Sequence, residues 1–108
     1  SNPVVTLGVL QVESTPTEFT LLQNYPNPFN PESTIKYNLA ESGDVHLRIY
    51  NIVGQVVRTL VSERQSAGRY QMRWAGTDDR GLTVSSGIYF YQITAGKFQD
   101  VKRLMLLK

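Results

Sequence analysis

The sequence contains no cysteine and a single histidine, His46. Disulfide bonds, thiolate zinc sites and cysteine nucleophiles are therefore excluded, and the fold depends on packing alone. A site that needs several imidazoles is excluded as well, and a serine–histidine–aspartate triad would have to use this one histidine. These two shortages remove many of the common catalytic and metal-binding chemistries.

The sequence also has only a small net charge and only short apolar runs. Lysine and arginine number 11 against 9 aspartates and glutamates, so the net charge is +2 and charged residues make up only 19% of the chain. Such a weak bias does not indicate nucleic-acid binding. The longest apolar runs, such as residues 104–107, fall far short of the ~20 residues that cross a bilayer, so we expect no membrane span.

The length of 108 residues suits one compact domain with one core. The chain opens without methionine or a charged and apolar leader, so we expect a piece of a longer polypeptide. An apolar stretch in residues 1–12 precedes a polar segment with Pro16, which indicates a short strand and then a linker. We therefore expect residues 1–18 to be a linker or strand from the parent protein and residues 19–108 to be the domain.

Short β-type runs separated by glycine, asparagine and proline follow this linker. Apolar and polar residues alternate with period two over residues 33–40 and 45–50, which is typical of half-buried strands. The polar connection at residues 41–44 suits an antiparallel turn, and Gly54 permits a second turn before the extended pattern resumes at residues 55–61. The pattern predicts two hairpins.

The second half of the chain continues the alternation. A polar loop is predicted at residues 62–68, strands are predicted at residues 70–74, 87–94 and 98–107, and a long connection is predicted at residues 76–86. Helical periodicity is absent from the sequence. Large side chains that share parity within their runs form the predicted core, namely Trp74, Leu47, Ile49, Tyr70 and Met72.

About seven short strands at spacings of roughly ten residues predict an all-β fold, an antiparallel β-sandwich of immunoglobulin-like type. Because the cysteine pair of antibody domains is missing, Trp74 has to pack against aliphatic and aromatic neighbours, as in fibronectin-like sandwiches without a disulfide. Tyr89 and Tyr91 alternate with Ile88 and Phe90, and both sets are apolar or aromatic. The pattern therefore leaves open which set faces inward.

Residues 24–31 contain three prolines within eight positions. Each proline fixes its own φ and restrains the preceding residue to extended conformations, so the segment is a stiff, non-helical bracket. One interpretation is a rigid loop that sets the direction of the next strand. The other is a proline-rich recognition element for a groove on a partner. This segment is named the proline bracket below.

An ordered set of sequence blocks gives the chain a family resemblance. The blocks are residues 25–31, 34–39, 47–60, 67–68, 74–78, 84–91 and 102–108, together with Gly81. The set resembles the C-terminal sorting domain of proteins exported by the type IX (Por) secretion system. The immunoglobulin-like domain of flagellar hook-capping proteins is similar in its Trp-x-Gly-x-Asp and Ser-Gly-x-Tyr-x-Tyr blocks. Ala75 stands where the pattern has an aspartate, so we expect the following turn to be weaker.

The resemblance implies a β-sandwich at the end of a larger secreted enzyme or adhesin. It implies export via the periplasm, followed by release or attachment at the cell surface. The partners implied are the outer-membrane secretion machinery and the N-terminal passenger domain of the same protein. The domain itself would then act as an export and sorting signal without catalysis.

The last strand is predicted to be the part that the export machinery reads. It combines cationic side chains with more apolar surface than one sheet face needs, and an edge strand of this kind can pair its backbone with a receptor strand. The proline bracket is the second predicted recognition element. The residues assigned to partner recognition are Lys102, Arg103, Leu104, Met105, Lys108, Pro26, Asn27 and Pro28.

Two other functions stay open on the sequence, a structural immunoglobulin-like spacer or assembly module and a carbohydrate-binding module. A weak carbohydrate contact would use exposed tyrosines such as Tyr50. We expect no catalytic residue, cofactor or metal, because no carboxylate pair, nucleophile elbow or phosphate loop is present. His46 is expected at the surface, and residues 78–81 are interpreted as an Asx turn rather than a calcium loop.

Overall fold

The computed structural model describes residues 15–29 and 32–108, and in these residues it contains seven β-strands and no helix. A three-stranded sheet has the order β1-β2-β5 and a four-stranded sheet has the order β4-β3-β6-β7, with every pair antiparallel. The predicted all-β sandwich is confirmed. The strands are β1 (Thr20–Leu21), β2 (Ser33–Leu39), β3 (Gly43–Tyr50), β4 (Val56–Gln65), β5 (Gly68–Trp74), β6 (Gly87–Ala95) and β7 (Phe98–Leu106).

The strands predicted from period-two alternation are confirmed with small changes at their ends. Those predicted at residues 33–40, 45–50, 70–74, 87–94 and 98–107 correspond to β2, β3, β5, β6 and β7. The short strand β1 was not predicted, because two residues carry no periodicity. The strand predicted near the start of the chain falls outside the described residues, and the division between linker and domain stays a prediction.

The first predicted hairpin is wrong. β2 belongs to the three-stranded sheet and β3 to the four-stranded sheet, so the turn between them carries the chain across the core. Consecutive strands alternate in the same way whether they pair side by side or face each other across a sandwich, so alternation alone did not separate the two arrangements. The second predicted hairpin, β3 with β4, is confirmed by an antiparallel ladder whose register shifts after Leu47 and after Ile49.

The polar loop predicted at residues 62–68 is also wrong in its extent. β4 continues through Gln65, which pairs with Gly43 at the start of β3. Ser62, Glu63 and Arg64 are exposed, because this end of β4 lies at the edge of the sheet beyond the core. Exposed strand residues are polar for the same reason as loop residues, which explains the error.

The core lies between the two sheets and is formed by alternate residues of the central strands. Trp74 packs against Phe29 with ring centroids 5.6 Å apart and edge-on against Tyr89 at 5.4 Å. Burial of each large apolar side chain stabilises the fold by about 1.5–3 kcal/mol. The largest fully buried side chains are Trp74, Tyr37, Tyr91, Phe29, Ile35, Leu39, Leu47, Ile49, Ile93, Leu104 and Val45.

The predicted core residues Trp74, Leu47 and Ile49 are confirmed, whereas Tyr70 and Met72 are only half-buried. Both belong to β5, an edge strand of the smaller sheet, so only part of each side chain is covered. Tyr70 is nevertheless stacked on the ring of Tyr37 at 5.4 Å.

The structure also resolves the ambiguity in β6. Tyr89 and Tyr91 are buried and face the core, while Ile88 and Phe90 are half-buried on the outer face of the four-stranded sheet.

Candidate partner-recognition site

Residues 24–29, the described part of the proline bracket, lie along the free edge of β7, so the two predicted recognition elements are neighbours in space. The backbone N–H of Phe29 donates to the carbonyl oxygen of Met105 at 3.0 Å, and the N–H of Leu107 donates to the carbonyl oxygen of Phe29 at 3.0 Å. These bonds form a short parallel bridge between Phe29 and Leu106. The bracket therefore takes the place of a next strand beside the last residues of β7.

Two side chains extend this cap along the strand. The Asn27 side-chain oxygen accepts a hydrogen bond from the N–H of Met105 at 2.9 Å, and the Gln23 side-chain amide donates to the carbonyl oxygen of Arg103 at 2.7 Å. The edge-facing groups of this half of β7 are thus largely satisfied within the chain. A receptor strand that pairs with them would have to displace the bracket.

Buried hydrogen bonds hold the bracket in position. The Asn24 side-chain amide donates to the carbonyl oxygen of Pro26 at 3.1 Å and to the Ser33 hydroxyl at 2.8 Å, and the Ser33 hydroxyl donates to the same Pro26 carbonyl at 2.7 Å. The N–H of Asn24 donates to the Tyr91 hydroxyl at 2.8 Å. Asn24 and Ser33 are themselves almost fully buried, so loss of either partner would leave an unsatisfied polar group.

Tyr91 connects this hydrogen-bond network to the backbone of Leu22. Its hydroxyl donates to the carbonyl oxygen of Leu22 at 2.7 Å while it accepts from Asn24. Burial disfavours the phenolate and raises the pKa of Tyr91 to about 12, against a smaller opposing effect of the Asn24 N–H. The tyrosine therefore stays protonated and keeps both hydrogen bonds at neutral pH.

The predicted recognition residues of β7 divide between the two faces of the strand. Arg103 and Met105 lie on the outer face, where Arg103 is exposed and Met105 half-buried. Leu104 is 1% exposed and belongs to the core, so a partner does not reach it while the domain is folded. Its role in recognition stays a prediction, as do the roles of the other assigned residues.

Lys102 points toward the inner side of the sheet. Its ammonium lies 4.0 Å from a carboxylate oxygen of Asp100, and about a third of its side chain is exposed. An inward-facing charge pair on an edge strand discourages pairing with other chains but contributes little stability. At the end of the chain Lys108 is exposed, and its N–H donates to the Ser86 hydroxyl at 3.0 Å.

The exposed residues of the bracket lie beside these residues of β7. Pro26, Asn27 and Pro28 are all exposed, and they flank the β7 edge on the same side as the Asn27–Met105 contact. The structure therefore brings Asn27, Met105 and Lys108 into one region, whereas Leu104 lies beneath it. The name bracket surface is used below for the half-buried Met105 together with the exposed residues Pro26, Asn27, Pro28, Arg103 and Lys108.

The opposite edge of the larger sheet has a second cap that the sequence analysis missed. A carboxylate oxygen of Asp79 accepts from the N–H of Thr59 at 2.8 Å, and the N–H of Asp79 donates to the carbonyl oxygen of Val57 at 3.0 Å. Arg58 adds a hydrogen bond from its guanidinium to the carbonyl oxygen of Asp78 at 2.9 Å. The paired aspartates were the available signal, but sequence alone does not show which strand they reach.

Asp78 organises the turn that presents this cap. One of its carboxylate oxygens accepts from the N–H groups of Arg80 at 2.9 Å and Leu82 at 3.0 Å, which confirms the predicted Asx turn. The Leu82 N–H has the largest effect in lowering the pKa of Asp78. The Trp74 indole N–H closes the preceding turn by donating to the carbonyl oxygen of Thr77 at 2.8 Å. In the described residues no three His, Cys, Asp or Glu side chains lie together as a potential metal site.

The outer face of the four-stranded sheet carries the half-buried aromatic rings. Val56, Tyr50, Phe90 and Arg103 are successive partners across the four strands, and Tyr50 and Phe90 line a shallow open groove. His46 lies further along the same face and contacts the Ser62 hydroxyl at 3.1 Å, which confirms its predicted surface position. Within residues 15–29 and 32–108 no helix is long and apolar enough to cross a membrane.

Comparison with solved structures relates the fold to two proteins of Porphyromonas gingivalis. Dimeric latent PorU matches with a TM-score of 0.63 at 16% identity, over 83% of this chain and 9% of that protein. PorZ, described as an essential bacterial surface component of the type-IX secretion system, matches with a TM-score of 0.54 at 17% identity, over 83% of this chain and 11% of PorZ. At these identities the likeness establishes the fold, and this chain spans only a small part of either protein.

A search of curated proteins gives no match. The family model of the FlgD Ig-like domain matches residues 30–98, which include the five strands β2 to β6 in full. Since this match covers more than half of the sequence, the chain belongs to the family of FlgD Ig-like domains.

Proposed function

We propose that residues 19–108 form a non-catalytic C-terminal domain of a larger exported bacterial protein and act as its signal for type IX secretion and cell-surface attachment. The parent protein leaves the cell via the periplasm. The partners of the domain are the outer-membrane secretion machinery and the N-terminal passenger of the same protein. The domain requires neither a cofactor nor a metal for this role.

The observation that carries the proposal is the position of the sorting-domain blocks in the fold. The proline bracket caps the edge of β7, and the block at residues 74–78 leads into the Asp79 cap on β4. A signal that is attached to unrelated passengers has to fold alone and must not pair its strands with them. Capped edges meet this requirement.

The fold of PorZ supports the same proposal. PorZ is described as a surface component of the type-IX secretion system and contains a region of this fold. The bracket surface then supplies the recognition element, because it places exposed cations and rigid prolines beside each other without opening the core. Recognition by this surface does not require the receptor to separate β7 from β6.

A secretion assay in a bacterium with type IX export tests the proposal. A reporter with its own periplasmic signal is fused to residues 19–108, and a matched fusion has the immunoglobulin-like domain of a flagellar hook-capping protein instead. We expect extracellular reporter only with residues 19–108. Retention of this fusion in the periplasm, with the domain shown to be folded, would overturn the proposal.

Charge variants on the bracket surface test which part of the domain the export machinery recognises. Deletion of residues 104–108 is unsuitable, because it removes Leu104 and Leu106 from the core. Arg103→Ala with Lys108→Ala removes two exposed cations and leaves the core intact. Lys36→Ala with Arg73→Ala removes two exposed cations from the smaller sheet and serves as the control. We expect reduced export only for the first pair.

A structural spacer or assembly module is the second candidate function. The family match favours it, because residues 30–98 exclude most of the bracket and all of β7 except Phe98, the parts assigned to export. If the domain is a spacer, it separates the neighbouring domains of the parent protein equally well whichever secretion route that protein uses. A parent protein whose export is unchanged when residues 19–108 are replaced by the hook-cap domain would support the spacer.

A further inference from the structure

The turn between β3 and β4 displays two aliphatic side chains at its tip. Ile52 is 74% exposed and Val53 is 72% exposed. Turn positions are normally occupied by glycine, asparagine, aspartate, serine or proline, whose backbone or side-chain chemistry suits the turn. Neither Ile52 nor Val53 has such a reason to be there. We name Ile52 and Val53 the apolar tip.

Hydrogen bonds from Asn51 make this turn rigid. The Asn51 side-chain oxygen accepts from the N–H groups of Val53 at 3.1 Å and Gln55 at 3.0 Å, and its side-chain amide donates to Gln55 at 2.9 Å. Backbone bonds from Asn51 to the Gln55 carbonyl and from Gly54 to the Asn51 carbonyl complete the turn, both at 3.0 Å. The tip is therefore held in one conformation before it meets a partner, which lowers the entropy cost of binding.

The apolar tip continues into the groove on the outer face of the larger sheet. Tyr50, Phe90 and Val101 line this groove together with Ile52. Val101 is 53% exposed, and Val56, next to Tyr50 across the ladder, is 49% exposed. The exposed apolar side chains thus form a contiguous stripe rather than scattered positions, and a stripe of this kind is characteristic of an interaction surface.

Two arginines flank the groove at the β3 and β7 side of the stripe, whereas Asp78 and Asp79 lie near Val56 at its β4 end. Arg48 lies two residues from Tyr50 on the same face of β3, and Arg103 lies beside Phe90 in β7. In the described part of β3 the carboxylate on this face is Asp44, which lies at the far end of the strand and pairs in register with Arg64. A partner that covers the stripe is therefore favoured when it has carboxylates at its border.

We propose that the apolar tip and the adjoining groove dock into an apolar pocket, bordered by carboxylates, on a protein of the export apparatus. This inference rests on the proposed secretion function and assigns a second surface to it, which adjoins the bracket surface at Arg103. A protein is favoured over a glycan because the tip protrudes and its aliphatic groups offer no hydrogen bond to sugar hydroxyls. A pocket lined by protein side chains matches that shape and chemistry.

The export assay with the reporter fusion tests the docking surface in cells. Ile52→Ser with Val53→Ser is expected to reduce export about tenfold, the effect of losing one central apolar anchor of an interface. The matched control is Leu22→Ser, an exposed aliphatic side chain near the smaller sheet, which should export like the parent. The melting temperature of each purified domain is measured to show that the variants fold. Parental export by the folded double variant would overturn the inference.

Site-specific crosslinking identifies the class of partner. Because the chain has no cysteine, Val53→Cys provides a unique thiol for a benzophenone maleimide, and Leu22→Cys provides the control. The labelled domain is irradiated with outer membranes from a type IX host. We expect a discrete, protease-sensitive adduct from position 53 that is absent from position 22 and decreases with Arg48→Glu, since Arg48 lies beside the stripe and outside the bracket surface.

The remaining outcomes each overturn the docking proposal. A protease-resistant adduct would indicate a glycan, and an adduct of twice the domain mass would indicate a second copy of the chain. Absence of any adduct specific to position 53 would show that no partner binds at the apolar tip. These failures differ from a failure of the secretion function itself, in which the unaltered fusion stays in the periplasm.

Discussion

The side-chain oxygen of Asn27 accepts a hydrogen bond from the backbone N–H of Met105 at 2.9 Å, across 78 positions of sequence. Asp79 accepts from the N–H of Thr59 at 2.8 Å on the opposite edge of the same sheet. In both places a short polar side chain on a turn occupies the position of a missing neighbouring strand. The larger sheet is thus closed at both edges by two segments that are unrelated in sequence position.

Asn27→Ala removes the acceptor for the Met105 N–H. We expect a loss of about 0.5–1.5 kcal/mol in the free energy of unfolding, the usual contribution of one hydrogen bond. Amide hydrogen exchange at Met105 should become faster, while exchange in the centre of β6 should change little. Chemical denaturation and exchange monitored by nuclear magnetic resonance provide the two measurements.

The control for this prediction is Asn27→Asp, which retains an oxygen at the same position. Its Met105 exchange rate should stay close to that of the parent. Equal protection of Met105 in Asn27→Ala and in the parent would mean that the Asn27 contact is not formed in solution.

Period-two alternation was sufficient to predict most of the strands, because a strand between a core and solvent has to alternate. Ile35 with Tyr37 and Leu47 with Ile49 show the reason, since each pair is fully buried and each is separated by one outward residue. The pairing of strands was harder to predict. The turn after Leu39 has the composition of a hairpin, yet it crosses between sheets.

The candidate site was predictable only in part. The sequence singled out the bracket and the last strand separately. It did not show that Phe29 pairs with the β7 edge, because that contact joins segments far apart in the chain. Gln23 and Asp79 were missed for the same reason, since a polar side chain gives no sign of its distant backbone partner.

Gly76→Ala should destabilise the domain more than Gly54→Ala. Both glycines have positive φ, +72° for Gly76 and +86° for Gly54, so each substitution places an L-residue in a left-handed conformation at a cost of roughly 1–2 kcal/mol. At Gly76 the new Cβ would lie 3.1 Å from a methyl carbon of Leu106, whereas at Gly54 nothing lies within 4 Å. Crowding adds about 1 kcal/mol or more at Gly76.

Denaturation of the two glycine variants side by side measures this difference, and Gly54→Ala serves as the matched control for backbone strain. The informative quantity is the gap between the two free energies of unfolding. If the gap is zero, the Gly76 turn does not approach Leu106 as closely as described.

Trp74→Ala should cost about 3–5 kcal/mol, because it deletes the largest core side chain and leaves a cavity. The lost contacts include the rings of Phe29 and Tyr89 and the hydrogen bond to Thr77. The control is Met72→Ala in the same strand, which should cost less because Met72 is half-buried. A denaturation midpoint for Trp74→Ala equal to that of the parent would be incompatible with its place in the core.

Alkaline pH should destabilise the domain through two buried tyrosines. Burial is the main cause that raises the pKa of Tyr37 to about 12, with a smaller opposing effect from its 2.7 Å hydrogen bond to Gln65, and Tyr91 is raised to about 12 by the same main cause. Between the ordinary tyrosine pKa near 10 and this raised value, the folded chain binds more protons than the unfolded chain. The stabilisation is therefore complete below about pH 10 and is lost as the pH rises toward about 12.

The measurement is the free energy of unfolding as a function of pH, from about pH 8 to about pH 12. Tyr37→Phe with Tyr91→Phe should be less stable than the parent at pH 8, because three hydrogen bonds of these hydroxyls are lost. Above about pH 10 its stability should fall less steeply with pH, because the two titrating groups are gone. Tyr25→Phe is the control, since Tyr25 is 80% exposed and its removal should leave the parental slope. An equally steep decline in the double variant would show that other groups cause the alkaline loss.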